Sequence, residues 1–231
     1  MCSLRLALTS VILGTSAISS LGCASASALQ TASTNGRGKA QLGIELSEQA
    51  IASRDSLGAY PMVGISGRIG VSDRVDLGAR IGPSGGELQA KFQLTKPPPA
   101  IVVSLAPSSG LWAWYTEGVW LGSYNLQLPV LIGIPLRNQH QIVLGPRVHQ
   151  SIFGASFGTA RGIVATTYVG TTLGIAWKVP VPGSSVRIMP EIGLLAPLAS
   201  FVDRTDDVGG LAWFGDKWIV QGNLGVLIGG S

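Results

Sequence analysis

The sequence predicts an all-β chain, an antiparallel up-and-down transmembrane β-barrel of about ten strands. Three observations predict it. Apolar and polar residues alternate with period two along most of the chain beyond residue 38, the pattern of strands with two unlike faces. One face is almost wholly aliphatic. The other is rich in Gly, Ser, Thr, Gln and Asn and has few Lys, whereas a soluble strand surface carries more charge. Composition agrees: Gly is 32 of 231 residues, and charged residues are 12%, against a usual ~25%. The net charge of 16 − 12 = +4 is small and scattered, with no basic run, so no nucleic-acid partner is expected.

Residues 1–28 read as a signal peptide. Arg5 supplies a minimal positive region, and Leu6–Ile18 an apolar stretch too short to span a membrane as a helix. Two cleavage positions compete. Ser20-Leu21-Gly22-Cys23 resembles a bacterial lipobox, which implies a lipid on Cys23 after cleavage before it. Ala26-Ser27-Ala28 fits the small-x-small rule for ordinary cleavage after Ala28. The cysteines are Cys2 and Cys23, so the body of the chain has neither a disulfide nor a thiolate metal site. The small polar run from Ala24 to Gly38 has no periodicity, and 29–38 is expected to be a flexible tether ahead of a barrel domain at 39–231.

Ten alternating runs follow. The first is Ala40, Leu42, Ile44 and Leu46 against Gln41, Gly43 and Glu45. Val63–Val71, Val75–Ile81 and Leu88–Leu94 continue it, with Ser66, Arg68, Asp76, Arg80, Glu87, Gln89 and Lys91 on the opposite face. Ile101–Leu105 is the fifth, and Tyr124–Ile134, opposite Asn125 and Gln127, is the sixth. Ile142–Val148 lies opposite Arg147, His149 and Ser151. Ile163–Trp177 lies opposite Thr166, Tyr168 and Thr172. Val186–Leu194 lies opposite Arg187 and Glu191, and Trp218–Ile228 opposite Gln221 and Asn223. Short turns at 72–74, 96–99, 135–139 and 179–185 alternate with longer linkers at 47–60, 107–123, 152–162 and 195–217, apart from a short link at 83–86. Short turns on one side and long loops on the other describe hairpins in a meander.

The charges on the polar face nearly balance: Arg68, Arg80, Lys91, Arg147 and Arg187 against Glu45, Asp76, Glu87 and Glu191. Buried charges need partners, so a paired network inside a narrow, non-conducting lumen is expected. Tyr60, Tyr124 and Trp218 on one side and Trp177 on the other suit aromatic girdles at the two interfaces. Hairpins such as Ile69–Arg80 resemble those of the small, non-porin bacterial outer-membrane β-barrel proteins. The resemblance covers about residues 39–229 and implies location in the outer membrane, with lipid as the surrounding partner. The chain departs from the family's frequent aromatic terminus, ending Leu227-Ile228-Gly229-Gly230-Ser231. Two other architectures fit less of the pattern. A soluble exported lipocalin-like binding barrel would bury the aliphatic face. A helical membrane protein would have to use the Pro-interrupted stretches 97–116 and 118–136.

Chemistry is sparsely signalled. His149-Gln150-Ser151 looks like part of the His/Ser pair of outer-membrane lipid A deacylases, an alternative that requires a carboxylate to orient the His. No acidic residue lies between Glu117 and Glu191. Asp203, Asp206 and Asp207 form a small acidic cluster suited to a solvated loop. No metal site or cofactor is expected. Trp112, Trp114, Tyr115 and Trp120 crowd the stretch 111–121, expected to be an outward aromatic loop. The expected role is non-enzymatic, structural or interactive, with loops 107–123 and 195–217 touching lipid, envelope components or an outside partner.

Overall fold

In a computed structural model, residues 27–52, 57–82, 85–96, 100–157, 160–181, 183, 185–205 and 217–230 are described. Twelve strand segments form one antiparallel sheet that closes on itself. They are β1 (Ala40–Ala52), β2 (Leu57–Ser72), β3 (Val75–Gly82), β4 (Gly85–Gln93), β5 (Val102–Leu105), β6 (Ser108–Thr116), β7 (Val119–Pro135), β8 (Gln141–Leu144), β9 (Arg147–Phe157), β10 (Ala160–Lys178), β11 (Val186–Thr205) and β12 (Trp218–Gly229). β5 and β6 flank Ala106-Pro107, and β8 and β9 flank Gly145-Pro146. Proline cannot donate to a ladder. Carbonyls of both prolines still accept across the gaps, from Ala90 and Val130, so each pair is one interrupted barrel strand. The barrel therefore has ten strands, closed where Gln41–Ala52 pairs with Trp218–Gly229.

Closure follows from the surface. The outward side chains are those of the aliphatic face, from Leu42, Ile44 and Leu46 on β1 to Leu224 and Ile228 on β12. In hydrocarbon no backbone donor or acceptor can stay unpaired, and a closed barrel leaves no edge. The opposite face points inward. This arrangement rules out the soluble barrel, and no helix among the described residues is long and apolar enough to cross a membrane.

The wall is uneven in height. β3 and β4 have 8 and 9 residues, while β10 and β11 have 19 and 20. At ~3.3 Å per residue and ~40° tilt, a strand of 20 residues rises ~50 Å, against an apolar band of ~25 Å. The tall side therefore stands well clear of the membrane. Here all four of the expected long linkers are corrected, the last as far as residue 205. Residues 47–52 and 57–60 extend β1 and β2, 108–123 is a β6–β7 hairpin turning at Glu117-Gly118, and 152–157 completes β9. Residues 195–205 extend β11, and 206–216 lie outside the described residues. These stretches hid in the sequence because alternation lapses once neither face meets lipid.

The largest departure concerns residues 27–38. They were expected to be a flexible tether, but they run up inside the barrel from the end where β1 begins. Ala32 and Asn35 are essentially inaccessible to solvent. Extended backbone without a ladder partner must find side-chain partners, and it does. The amides of Ala28, Leu29, Ala32, Thr34 and Asn35 donate to Glu191, Gln141, Gln93 and Asp76. The carbonyls of Ser27, Leu29, Thr31, Ala32 and Ser33 accept from Arg147, Arg68, Lys91 and Ser104. Ala28, Leu29 and Ala32 also pack on Val102, Leu131, Val143, Met189 and Leu227 of the inner wall. Gly225 makes room: a Cβ there would run into the Leu29 side chain.

Candidate functional site: the plugged lumen

The lumen is a stack of three layers. The lowest is the N-terminal plug and its charged cradle. Lys91 Nζ lies 3.0 Å from Asp76 Oδ2 and donates to the carbonyls of Ser33 at 2.6 Å and Thr31 at 3.2 Å. Asp76 in turn takes the Asn35 amide on both oxygens, at 3.0 and 3.1 Å. Register explains the pairing, since Asp76 and Lys91 are opposite each other on β3 and β4, as are Arg80 and Glu87. Cross-strand opposite charges on one face attract. Arg80 also bridges to Glu45, and its second nitrogen lies 3.7 Å from Glu87. Arg68 grips Gln89 Oε1 through two nitrogens, at 3.1 and 2.6 Å.

On the far side of the plug, Arg147 donates to Ser27 O, Gln127 Oε1 and Thr172 Oγ1 at 3.2, 3.2 and 2.9 Å. Glu191 accepts the Ala28 and Leu29 amides at 2.9 and 3.2 Å and Asn223 Nδ2 at 3.1 Å. Arg187 sits at the lower mouth on the inner face. All nine charged residues singled out from sequence thus lie on the inner face. Three acids share two cations (Arg80 and Lys91), while Arg68, Arg147 and Glu191 hold neutral partners.

The middle layer is neutral and polar: Gln49, Ser123, Asn125, Gln127, His149, Thr166 and Gln221 are all buried. His149 is wholly inaccessible. Its Nε2 lies 3.2 Å from Asn125 Oδ1, Tyr168 meets the ring edge-on at 5.9 Å between centroids, and Nδ1 has no partner. Ser151 is two residues higher on the same strand, opposite Asn125 and Thr166. The structure gives His149 no carboxylate contact among the described residues.

The top layer is apolar. Leu121, Phe153, Ala155 and Val164 pack inside the upper barrel with Trp112 and Val119 against them. Tyr168, Leu195 and Ile219 form a second cluster nearby. The expected outward aromatic loop is therefore corrected. On the β6–β7 hairpin Trp112 and Trp114 pair with Ser123 and Leu121 on the lumen side, while Tyr115 pairs with Trp120 on the outside. Trp120 covers Gly122 and Gly154, where a Cβ would strike its ring. Tyr60 likewise shares a face with buried Met62, so it leaves the girdle that Tyr124, Trp177 and Trp218 retain. Asp203 lies exposed on β11, and Asp206 and Asp207 lie outside the described residues, as does Cys23. No group of three His, Cys, Asp or Glu suited to a metal is found among the described residues.

Sequence reasoning found the charges but missed the plug they hold. A signal was present. Leu131, Val143, Met189 and Leu227 occupy inward positions in a face otherwise polar, and the plug is what they pack against.

A closed antiparallel barrel, apolar towards lipid and polar within, defines the chain as a transmembrane β-barrel of the bacterial outer-membrane kind. No protein-family model matches the sequence, and no curated protein matches it. Among solved structures, similarity extends to Neisserial surface protein A, at 9% identity and TM-score 0.45 over 83% of this chain and 99% of that one. It extends also to Ail, the attachment invasion locus protein of Yersinia pestis, at 11% and 0.42 over 84% and 99%. The outer membrane protease OmpT of Escherichia coli is similar at 7% and 0.43 over 89% and 100%.

Proposed function

We propose that the protein is a closed, non-enzymatic outer-membrane barrel that acts through the wall standing outside the membrane, chiefly the β6–β7 hairpin and the upper halves of β10 and β11. The observation that carries this reading is the filling of the lumen in both its lower and its upper part, which leaves the outer surface as the place for contact. Tyr115 and Phe201, 71% and 65% exposed, stand on that outer wall. Aromatic side chains of this kind are enriched where proteins meet partners. The partner class is a macromolecule of the envelope or its surroundings.

The test is site-specific photo-crosslinking in living cells. A crosslinking residue at Tyr115 should give a discrete macromolecular adduct, while one at Ile44, in the aliphatic belt, gives lipid adducts alone. Lipid adducts at both positions would overturn the reading. The hydrolase alternative is met in the same strain: Ser151→Ala should leave the envelope lipids unchanged, and an altered lipid A would establish the enzymatic role instead.

A further inference from the structure

We infer that the mature chain begins at Leu29 and that its new α-ammonium group is the ionic partner of Glu191 inside the barrel. Glu191 is 5% exposed, and its carboxylate faces two consecutive main-chain nitrogens, those of Ala28 and Leu29, one on each oxygen. Among the described residues no Lys or Arg nitrogen lies within ion-pair distance of it, whereas Glu45, Asp76 and Glu87 each have one. Arg147 acts on it only from beyond that distance, and a buried carboxylate whose contacts are all neutral donors lacks a counter-charge in contact with it.

The sequence offers that counter-charge at this point. Ala26-Ser27-Ala28 is a small-x-small cleavage signal that ends at the residue before Leu29. A signal peptidase adds water across the Ala28–Leu29 amide. The carboxylate leaves on the upstream peptide, and the Leu29 nitrogen takes up a proton to become an ammonium. That nitrogen lies 3.2 Å from Glu191 Oε2. With Ala28 gone, its three N–H groups can serve both oxygens. Gly225 gives the Leu29 side chain its seat, which fixes the nitrogen in place.

The same geometry weighs against a lipid on Cys23. The Ser27 carbonyl is held by Arg147 in the barrel interior, and its hydroxyl faces Glu45. A mature chain that began at Cys23 would keep Ser27 and Ala28, the Leu29 nitrogen would stay a neutral amide, and Glu191 would gain no ammonium.

The experiment uses mature protein extracted in detergent from outer membranes of expressing cells. Intact mass and N-terminal peptide analysis should give a start at Leu29 with no acyl mass. A start elsewhere, or an acylated Cys23, overturns the inference. Acetylation of the Leu29 amine at neutral pH, read by peptide mass spectrometry, should be at least about tenfold slower in the folded protein than in the urea-unfolded one. Burial alone would also slow it, so the pairing is read from Glu191→Gln in material that retains heat-modifiable migration, where reactivity should return. Glu191→Asp, which keeps the charge, should stay protected. Equal protection in the Gln and wild-type proteins, or no protection in the wild type, overturns the pairing.

Discussion

The barrel below its membrane rim and the barrel above it are built from the same strands but have opposite interiors. Below, the wall is aliphatic outside, and its lumen is filled by a segment from elsewhere in the chain, held by Lys91, Asp76, Arg68, Arg147 and Glu191. Above, Leu121, Phe153, Ala155 and Val164 turn inward and fill the lumen themselves. The outside changes at the same height. Leu46, Val148 and Val169 give way along their strands to Glu48, Gln150 and Thr167, and Thr167 Oγ1 donates to Gln150 Oε1 at 2.6 Å. A strand that leaves lipid for water exchanges its faces, because the apolar side must then be buried by protein. The rim can therefore be located from the side chains alone.

The largest break in this comparison is removal of the plug. A chain lacking residues 29–37 leaves Glu191 and the apolar seats of Leu131 and Leu227 without their occupant. Its free energy of unfolding, read from urea titration, should fall by an amount on the order of 5 kcal/mol, since several buried polar groups lose partners at about 1–3 kcal/mol each. The deletion alone should still show no steady conductance in planar bilayers, because the upper layer remains. Adding Leu121→Ser and Phe153→Ser should open it. Conductance from the deletion alone would show that the upper layer is no seal.

The next contrast sets a charge below the rim against an apolar side chain above it. Lys91→Met strands Asp76 and the Ser33 and Thr31 carbonyls, and should cost about 3–5 kcal/mol. Phe153→Ala leaves a cavity in the upper cluster and should cost about 3 kcal/mol. Urea titrations of the two variants in detergent would show the order, and a larger loss from Phe153→Ala would reverse the assignment of where the fold is held.

How far the sequence was legible also divides at the rim. Within lipid, alternation is enforced on every strand, so the belt, the short turns and the inward set from Gln41 to Asn223 could be read directly. The nine lumen charges could be read as well, since nothing else explains Arg68 or Lys91 in a lipid-crossing strand. Above the rim both faces mix apolar and polar residues. Trp112 and Tyr115, three apart, fall on opposite sides of one hairpin as strand alternation requires, but with aromatic residues on both faces nothing marked the stretch as strand. The plug was illegible for a different reason. Its residues are small and polar, as a tether's are, and its order comes wholly from partners distant in sequence, such as Gln141 for Ala32. The inward Leu131 and Met189 were the clue, and they gain meaning only once something is known to lie against them.

The finest test of the rim uses two residues that geometry alone cannot tell apart. Leu173 and Ile163 both lie on β10, both point outward, and are 48% and 50% exposed. Leu173 sits midway along the lipid-facing stretch from Val169 to Trp177, whereas Ile163 sits above Thr167 on the wall that faces water. The accessible area is the same, but the solvent is not. A lysine at the centre of the belt must bring an ammonium into hydrocarbon, so Leu173→Lys should cost about 2–4 kcal/mol. Ile163→Lys places the same group in water and should cost under about 1 kcal/mol. Both variants are measured by urea unfolding after refolding into vesicles, since detergent would soften the difference. Equal losses would mean that the membrane reaches higher on β10 than Thr167, and the aromatic hairpins would then be lipid anchors instead of a surface for partners. A difference in the expected sense places the boundary between Leu173 and Ile163, the interval in which the outer face changes from Val169 to Thr167, and supports Tyr115 and Phe201 lying in water.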